Sequence, residues 1–405
     1  MTGSGGTPGS GGATGVGGDT GIGGDTGVGG DTGVGGDTGI GGDTGVGGDT
    51  GVGGDTGVGG DTGVGGDTGI GGDTGIGGDQ GVGGDTGVGG DQGVGGDQGV
   101  GGSGTGGAQP VSDLIGWASV SACGSNGTTG GGDGEPTVNV TSGGELASAL
   151  TAGGSAVIAV SGQISSPGSV DNVNDKTIIG INHAEISGGI RFNSARNVIF
   201  KDIRFTHGSN DTVEVSGCEC MWFDHCEFSD GSDGNLDIVR ASDLITVSWS
   251  KFFYTSGHDH MLSNLCGNSQ PRDEDEGKIN ITFHHNWWGA GVKERMPRVR
   301  YGQVHVFNNY YHYESVPNDT GQSYCVAAGY QSKLLVENNY FDGSNSPIRW
   351  MSDEGTGEVV ERGNEFVNTS GDVVTRGSSF EPRYPYSMDP GAEVRDIVMS
   401  GAGAR

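Results

Sequence analysis

The sequence predicts an all-β protein, a parallel β-helix preceded by a disordered Gly-rich repeat tail. Three observations carry this. Apolar β runs recur almost throughout residues 136–405. Seven of them share one template at a spacing near 24 residues, the signature of stacked coils. Glycine, by contrast, is crowded into the first quarter of the chain: 54 of 91 glycines lie in residues 1–110.

That first stretch is the tail. From Thr14 to Gly102 a six-residue unit, Thr/Gln-Gly-Val/Ile-Gly-Gly-Asp, repeats, and its fourteen aspartates run from Asp19 to Asp97 with no Lys, Arg or Glu among residues 1–110. Three glycines per unit make ordering costly, and one small aliphatic offers little to bury. A flexible, self-repelling spacer is expected, with an end-to-end distance of roughly 60 Å as a coil. A hexapeptide β-helix or a calcium-binding glycine-rich repeat are the alternatives, although the latter have a nine-residue period. Residues 111–135 read as a linker.

Residues 136–405 form the folded domain. One short helix is expected, capped by Ser142 and running to Leu150. The β runs follow at 156–160, 176–181, 198–205, 221–228, 244–252, 281–288, 304–311, 334–341 and 359–366. In seven of them an alternating strand meets a small or polar corner, then an aromatic two residues on. The corners are Ile203, Cys226, Ser250, Asn286, Asn309, Asn339 and Asn364, at spacings of 23, 24, 36, 23, 30 and 25 residues. The aromatics are Phe205, Phe228, Phe252, Trp288, Tyr311, Phe341 and Phe366. A coil this small cannot bury its apolar face alone, so coils stack like on like. That predicts an asparagine ladder at one turn and an aromatic ladder inside. Asparagine suits the corner because it tolerates left-handed backbone and its amide bonds its neighbours. A β-sandwich, the alternative, has no need of the repeat.

Composition restricts the partners. The chain carries 51 Asp+Glu against 20 Lys+Arg, a net charge of −31. Residues 111–405 alone stand at −17. Such acidity argues against nucleic acid or an anionic membrane surface. No apolar run approaches the 18 residues or so that a membrane span needs, and no signal peptide is visible at Met1–Ser10. Cys123, Cys218, Cys220, Cys226, Cys266 and Cys325 show no zinc spacing and are read as buried thiols or one to three structural bridges.

The acids offer chemistry. Asp233 and Asp237 flank Gly-Asn-Leu, and Asp211 lies about one coil earlier. On stacked coils the three could converge, and close carboxylates of this kind suit Ca²⁺; the plain alternative is three solvated acids. Arg295 and Arg300 are of the type that clamps carboxylates, and the plain alternative is two surface ion pairs.

The motifs Met221-Trp-Phe-Asp-His-Cys-Glu-Phe, Asp233-Gly-Asn-Leu-Asp-Ile, Ile245-Thr-Val-Ser-Trp, Ile281-Thr-Phe-His-His-Asn, Arg295-Met-Pro-Arg-Val-Arg and Gly302-Gln-Val-His-Val-Phe-Asn-Asn-Tyr-Tyr, in this order, resemble the pectate lyase family of polysaccharide lyases. The resemblance runs from about Val138 to the end. It implies a right-handed parallel β-helix, secreted or held at the cell surface, monomeric, and acting on pectic polysaccharide by Ca²⁺-dependent β-elimination. It further implies that Asp211, Asp233 and Asp237 bind Ca²⁺, that Arg295 is the base taking the C5 proton, and that Arg300 holds a substrate carboxylate. Two positions depart from the family: Ser209 stands where another acid is common, and the usual active-site Lys is missing from Gly257–Leu262. His258 or His260 is the candidate replacement, with Lys293 a further substrate contact. His225, His284 and His285 read as structural. The rival functions are a pectin lyase acting on methylated polymer without Ca²⁺, and a non-catalytic polysaccharide-binding β-helix or adhesin.

Overall fold

The computed structural model describes residues 114–405 except 258 and 259, and within the repeat only the backbone of short strands. The chain divides into two units, Met1–Gly107 and Ala108–Arg405. In the first, triplets such as Thr26–Val28 and Thr38–Ile40 belong to parallel ladders whose partners lie twelve residues apart. The residues between the triplets, and with them the expectation of a disordered tail, lie outside the described residues.

The second unit is a parallel β-helix. A 17-stranded parallel sheet runs from Val138–Val140 to Glu365–Val367. The expected aromatic ladder fills its interior. Phe205 pairs in register with Phe228, then Phe252, Trp288, Tyr311, Phe341 and Phe366. The rings stack with centroids 5.2, 4.9, 5.2, 4.8, 4.3 and 5.3 Å apart. Such stacking adds to the large apolar area each ring removes from water.

The corner ladder forms too. Asn286 Oδ1 accepts the Ser250 N–H, Asn309 Oδ1 that of Asn286, Asn339 Oδ1 that of Asn309, and Asn364 Oδ1 that of Asn339, each at 2.9 Å. The Asn286 Nδ2 donates to the Val247 carbonyl at 2.9 Å. Buried amides are thereby satisfied from coil to coil. The left-handed residue is not the corner asparagine, however, but its predecessor: Asp202, His225, Trp249, His285, Asn308 and Asn338 all have positive φ. Asparagine is placed there by its amide bonding, not by its backbone tolerance.

The nine sequence runs miss a second parallel sheet. It has eight short strands, among them Ile190–Asn193, Val213–Ser216, Leu236–Val239, Leu265–Cys266, Arg298–Val299, Val326–Ala328 and Ile348–Trp350. Two to four residues long, these strands carry too little alternating pattern to be read. Their register aligns one outward column, Arg191, Glu214 and Asp237, and further along Leu265, Arg298, Ala327 and Arg349. This column positions the site.

The ends are covered. The expected helix, Gly143–Thr151, is capped by Ser142, whose side chain accepts the Glu145 N–H at 3.3 Å, and it buries Leu146, Ala149 and Leu150. A second helix, Val394–Gly401, escapes the sequence reading; it rests Val394 and Val398 against Tyr310. The segment from residue 114, expected as linker, is instead packed on the β-helix. The Trp117 N–H donates to Thr282 Oγ1 at 3.0 Å, and the Cys123–Cys220 disulfide ties the segment down. Cys218, Cys226, Cys266 and Cys325 are buried free thiols.

Candidate active site

Two of the three predicted acids meet. The loops before Val213–Ser216 and Leu236–Val239 stack with Thr212 N–H on the Gly234 carbonyl at 3.1 Å and Val213 N–H on that of Asn235 at 2.9 Å. Since Val213 pairs with Leu236, Gly234 is the coil equivalent of Asp211. A Cβ at Gly234 would lie 2.7 Å from Asp211 Oδ1 and 3.1 Å from Asp237 Oδ1. The glycine therefore opens the space into which both carboxylates point.

Both are buried, 8% and 5% exposed. Burial, then Asp233 and Glu214, pushes the Asp211 carboxyl up to about 7. Burial and the adjacent Asp211 raise Asp237 well above the carboxylate range. Asp237 Oδ1 accepts the Leu265 N–H at 2.9 Å, whereas Asp211 Oδ1 is buried with no hydrogen-bond partner. Asp233, more exposed, is close enough to raise both, but its Oδ1 meets His260 Nδ1 at 2.8 Å. Among the described residues no three His, Cys, Asp or Glu side chains close on one point as a metal would require. What is present is a pair of crowded carboxylates with one orphaned oxygen. That donor set fits a hard divalent cation whose other oxygen ligands come from elsewhere.

Arg295 faces this pair. Its charge opposes the upward shift of Asp211 and of Asp237, and its Nε is buried without a hydrogen-bond partner. Its backbone is left-handed, φ 63°, and is pinned on both sides. The Asn264 N–H donates to the Arg295 carbonyl at 2.6 Å, and the Tyr311 hydroxyl to that of Met296 at 3.1 Å. The interior aromatic ladder thus holds the floor beneath Arg295.

The remaining candidates separate. Lys293 lies two residues before Arg295, its N–H on the Met261 carbonyl at 2.9 Å, with no ion pair to its side chain among the described residues. His260 is exposed beside Asp233; His258 lies outside the described residues. Arg300 differs most from expectation. It is buried, with Nε and Nη2 on Glu354 at 3.0 and 2.5 Å and Nη1 on the Asn268 carbonyl at 2.7 Å. The carboxylate that its guanidinium clamps here is the protein's own. His225 pairs with Asp224 at 3.0 Å, Trp249 stacks between the rings of His225 and His285, and His284 Nδ1 meets His285 Nδ1 at 2.9 Å.

Sequence reasoning passed over Gly234, Glu214, Tyr324 and Glu354. Gly234 had a signal, the glycine between two acids. Glu354 had none, since it reaches the arginines from a loop about two coils on.

Two crowded acids facing an arginine on the flank of a parallel β-helix accord with a polysaccharide lyase. The comparisons specify which: residues 95–403 match the family model described as pectate lyase, and the chain belongs to the pectate lyase family. It is 31% identical over 324 residues to the pectate trisaccharide-lyase of Bacillus licheniformis, covering 74% of this chain and 89% of that protein. To the pectate trisaccharide-lyase of Thermotoga maritima it is 35% identical over 331 residues, covering 72% and 88%. The pectate lyase of Bacillus sp. N165, solved in complex with trigalacturonate, superposes with a TM-score of 0.60 at 26% identity, covering 72% of this chain and 98% of that one. Among the described residues no helix is long and apolar enough to cross a membrane.

Proposed function

We propose that this protein is a secreted or cell-surface, monomeric pectate lyase that cleaves α-1,4-polygalacturonate by Ca²⁺-dependent β-elimination. The observation that carries this reading is the buried Asp211–Asp237 pair facing Arg295. The names of the relatives support the substrate class, and the Cys123–Cys220 disulfide suits an oxidising compartment outside the cell.

Asp211 and Asp237 would hold Ca²⁺, with Asp233 beside them. When bound, Ca²⁺ would supply neutralising charge for the uronate carboxylate, which acidifies the neighbouring C5 proton. The protein's own groups do the rest. Arg295 would remove the C5 proton. Arginine rarely gives up its own proton; the Arg295 side chain is half-buried, and its Nε is buried without a hydrogen-bond partner. The electron pair left at C5 forms the C4–C5 double bond as the bond from C4 to the glycosidic oxygen breaks, and that oxygen leaves with a proton taken from water. Positive charge from Arg295, and from Lys293 two residues away, stabilises the developing enolate. Arg300, locked on Glu354, acts by fixing the strand that follows Arg295.

The test is ultraviolet absorbance of unsaturated product. It should grow when polygalacturonate is supplied with Ca²⁺ and cease in excess chelator. Full activity in chelator would favour the methylated-pectin reading. No product from either polymer would favour a binding module.

A further inference from the structure

The outward column that carries Asp237 continues through Leu265, Arg298 and Ala327 to Arg349. Arg298 is engaged with Glu354 at 2.5 Å. Arg349 has no carboxylate partner among the described residues, in a domain where acids outnumber bases by seventeen. Its guanidinium instead lies over the ring of Tyr324, 5.7 Å from the centroid. Tyr324 is buried, 2% exposed, and the charges of Glu294, Arg298 and Arg295 bear on its hydroxyl. Tyr324 thus lies between the segment that carries Arg295 and Arg349. The backbone agrees, since the Tyr324 N–H points at the Lys293 carbonyl at 3.4 Å.

We infer that Arg349, held on Tyr324, is a second carboxylate-binding subsite that takes a free uronate unit of the bound chain adjacent to the Arg295 centre. This rests on the polyuronate reading above. A guanidinium stacked on an aromatic face keeps its edge donors free, and that fork matches a carboxylate in a bidentate manner. With a short side chain at Ala327 between Arg298 and Arg349, nothing on the intervening coil of this column competes for those donors. A methyl ester at this position would forfeit the charge-assisted bonds. Arg349 therefore selects for de-esterified polymer, while taking no part in the proton transfer.

The test uses the full chain and two readouts. In calorimetric titration with trigalacturonate and with longer galacturonate oligomers, Arg349→Ala should weaken binding of the longer oligomers about tenfold, the scale of one lost charge-assisted contact. In steady-state assays KM for polygalacturonate should rise by a similar factor with kcat within twofold, and KM for highly methylated pectin should not move. Arg349→Gln, which keeps packing over Tyr324, should behave like Arg349→Ala if charge is what matters; a variant with an unchanged melting temperature is the one to interpret. Wild-type affinity of both variants for all oligomers would overturn the subsite. Should the wild-type protein bind oligomers but form no unsaturated product, the lyase reading fails while the binding comparison still decides the subsite. Absence of binding by the wild-type protein would overturn both.

Discussion

Arg300 and Glu354 form a buried bidentate pair, Nε to Oε2 at 3.0 Å and Nη2 to Oε1 at 2.5 Å. Glu354 also takes Arg298 Nη2 at 2.5 Å and the Tyr330 N–H at 2.7 Å. Burial pushes its carboxyl up, yet these donors hold it below the ordinary range. Removing the charge leaves two arginines with no counterion in a mostly dry site. Glu354→Gln should therefore cost about 3–5 kcal/mol, as broken buried pairs do. Chemical denaturation reads this directly, and a loss below about 1 kcal/mol, the scale of an exposed pair, would show the pair to be solvated.

Asp237→Asn separates cation binding from folding. The amide oxygen can still accept the Leu265 N–H, so the local hydrogen bond survives. The charge crowded against Asp211 is lost. Ca²⁺ affinity by calorimetry and turnover should both fall, while stability in chelator holds or rises. Unchanged Ca²⁺ affinity would place the cation elsewhere.

The C-terminal segment supplies a pH dependence. The His285 Nε2 to Asp389 Oδ2 hydrogen bond, 2.8 Å, holds the Asp389 carboxyl below its usual range. A depressed carboxyl contributes stability that is present above the unfolded-chain value and lost as pH falls through the folded one. The stability gap between wild type and Asp389→Asn should narrow as pH falls below about 4, where unfolded Asp titrates. An undiminished gap at lower pH would contradict the assignment. Asn308 and Asn338 also bind the Asp389 backbone at 2.9–3.0 Å, so the variant should remain folded.

Phe228 lies between Phe205 and Phe252 at 5.2 and 4.9 Å and is fully buried. Phe228→Ala opens a gap in the middle of a continuous stack and should cost about 3–5 kcal/mol. Thermal unfolding measures it. A much smaller cost would mean the adjoining coils collapse onto the gap.

Legibility in the sequence followed the physics. The ladders are readable because stacking forces like residues over like: the Asn286–Asn309–Asn339–Asn364 row and the Phe205-to-Phe366 row show as a recurrent spacing along the chain itself. The second sheet is not, because strands such as Leu265–Cys266 and Arg298–Val299 are only two residues long. At the site, Asp211, Asp237 and Arg295 are legible as motif positions and do come together. Asp233 is expected with them, but its carboxylate turns to His260. Arg300 reads as an open clamp because its partner, Glu354, lies 54 residues later on a loop that no local pattern announces.

The account stands most directly on Arg295. Arg295→Lys keeps a positive charge facing Asp211 and Asp237 but replaces the group proposed to take the C5 proton. In protein shown to be folded, kcat on polygalacturonate should fall at least ~10²-fold, the low end of what a general base contributes. KM should change far less, since the charge that attracts the polymer is retained. Near-wild-type kcat in folded Arg295→Lys would contradict the account and move the base to Lys293 or His260.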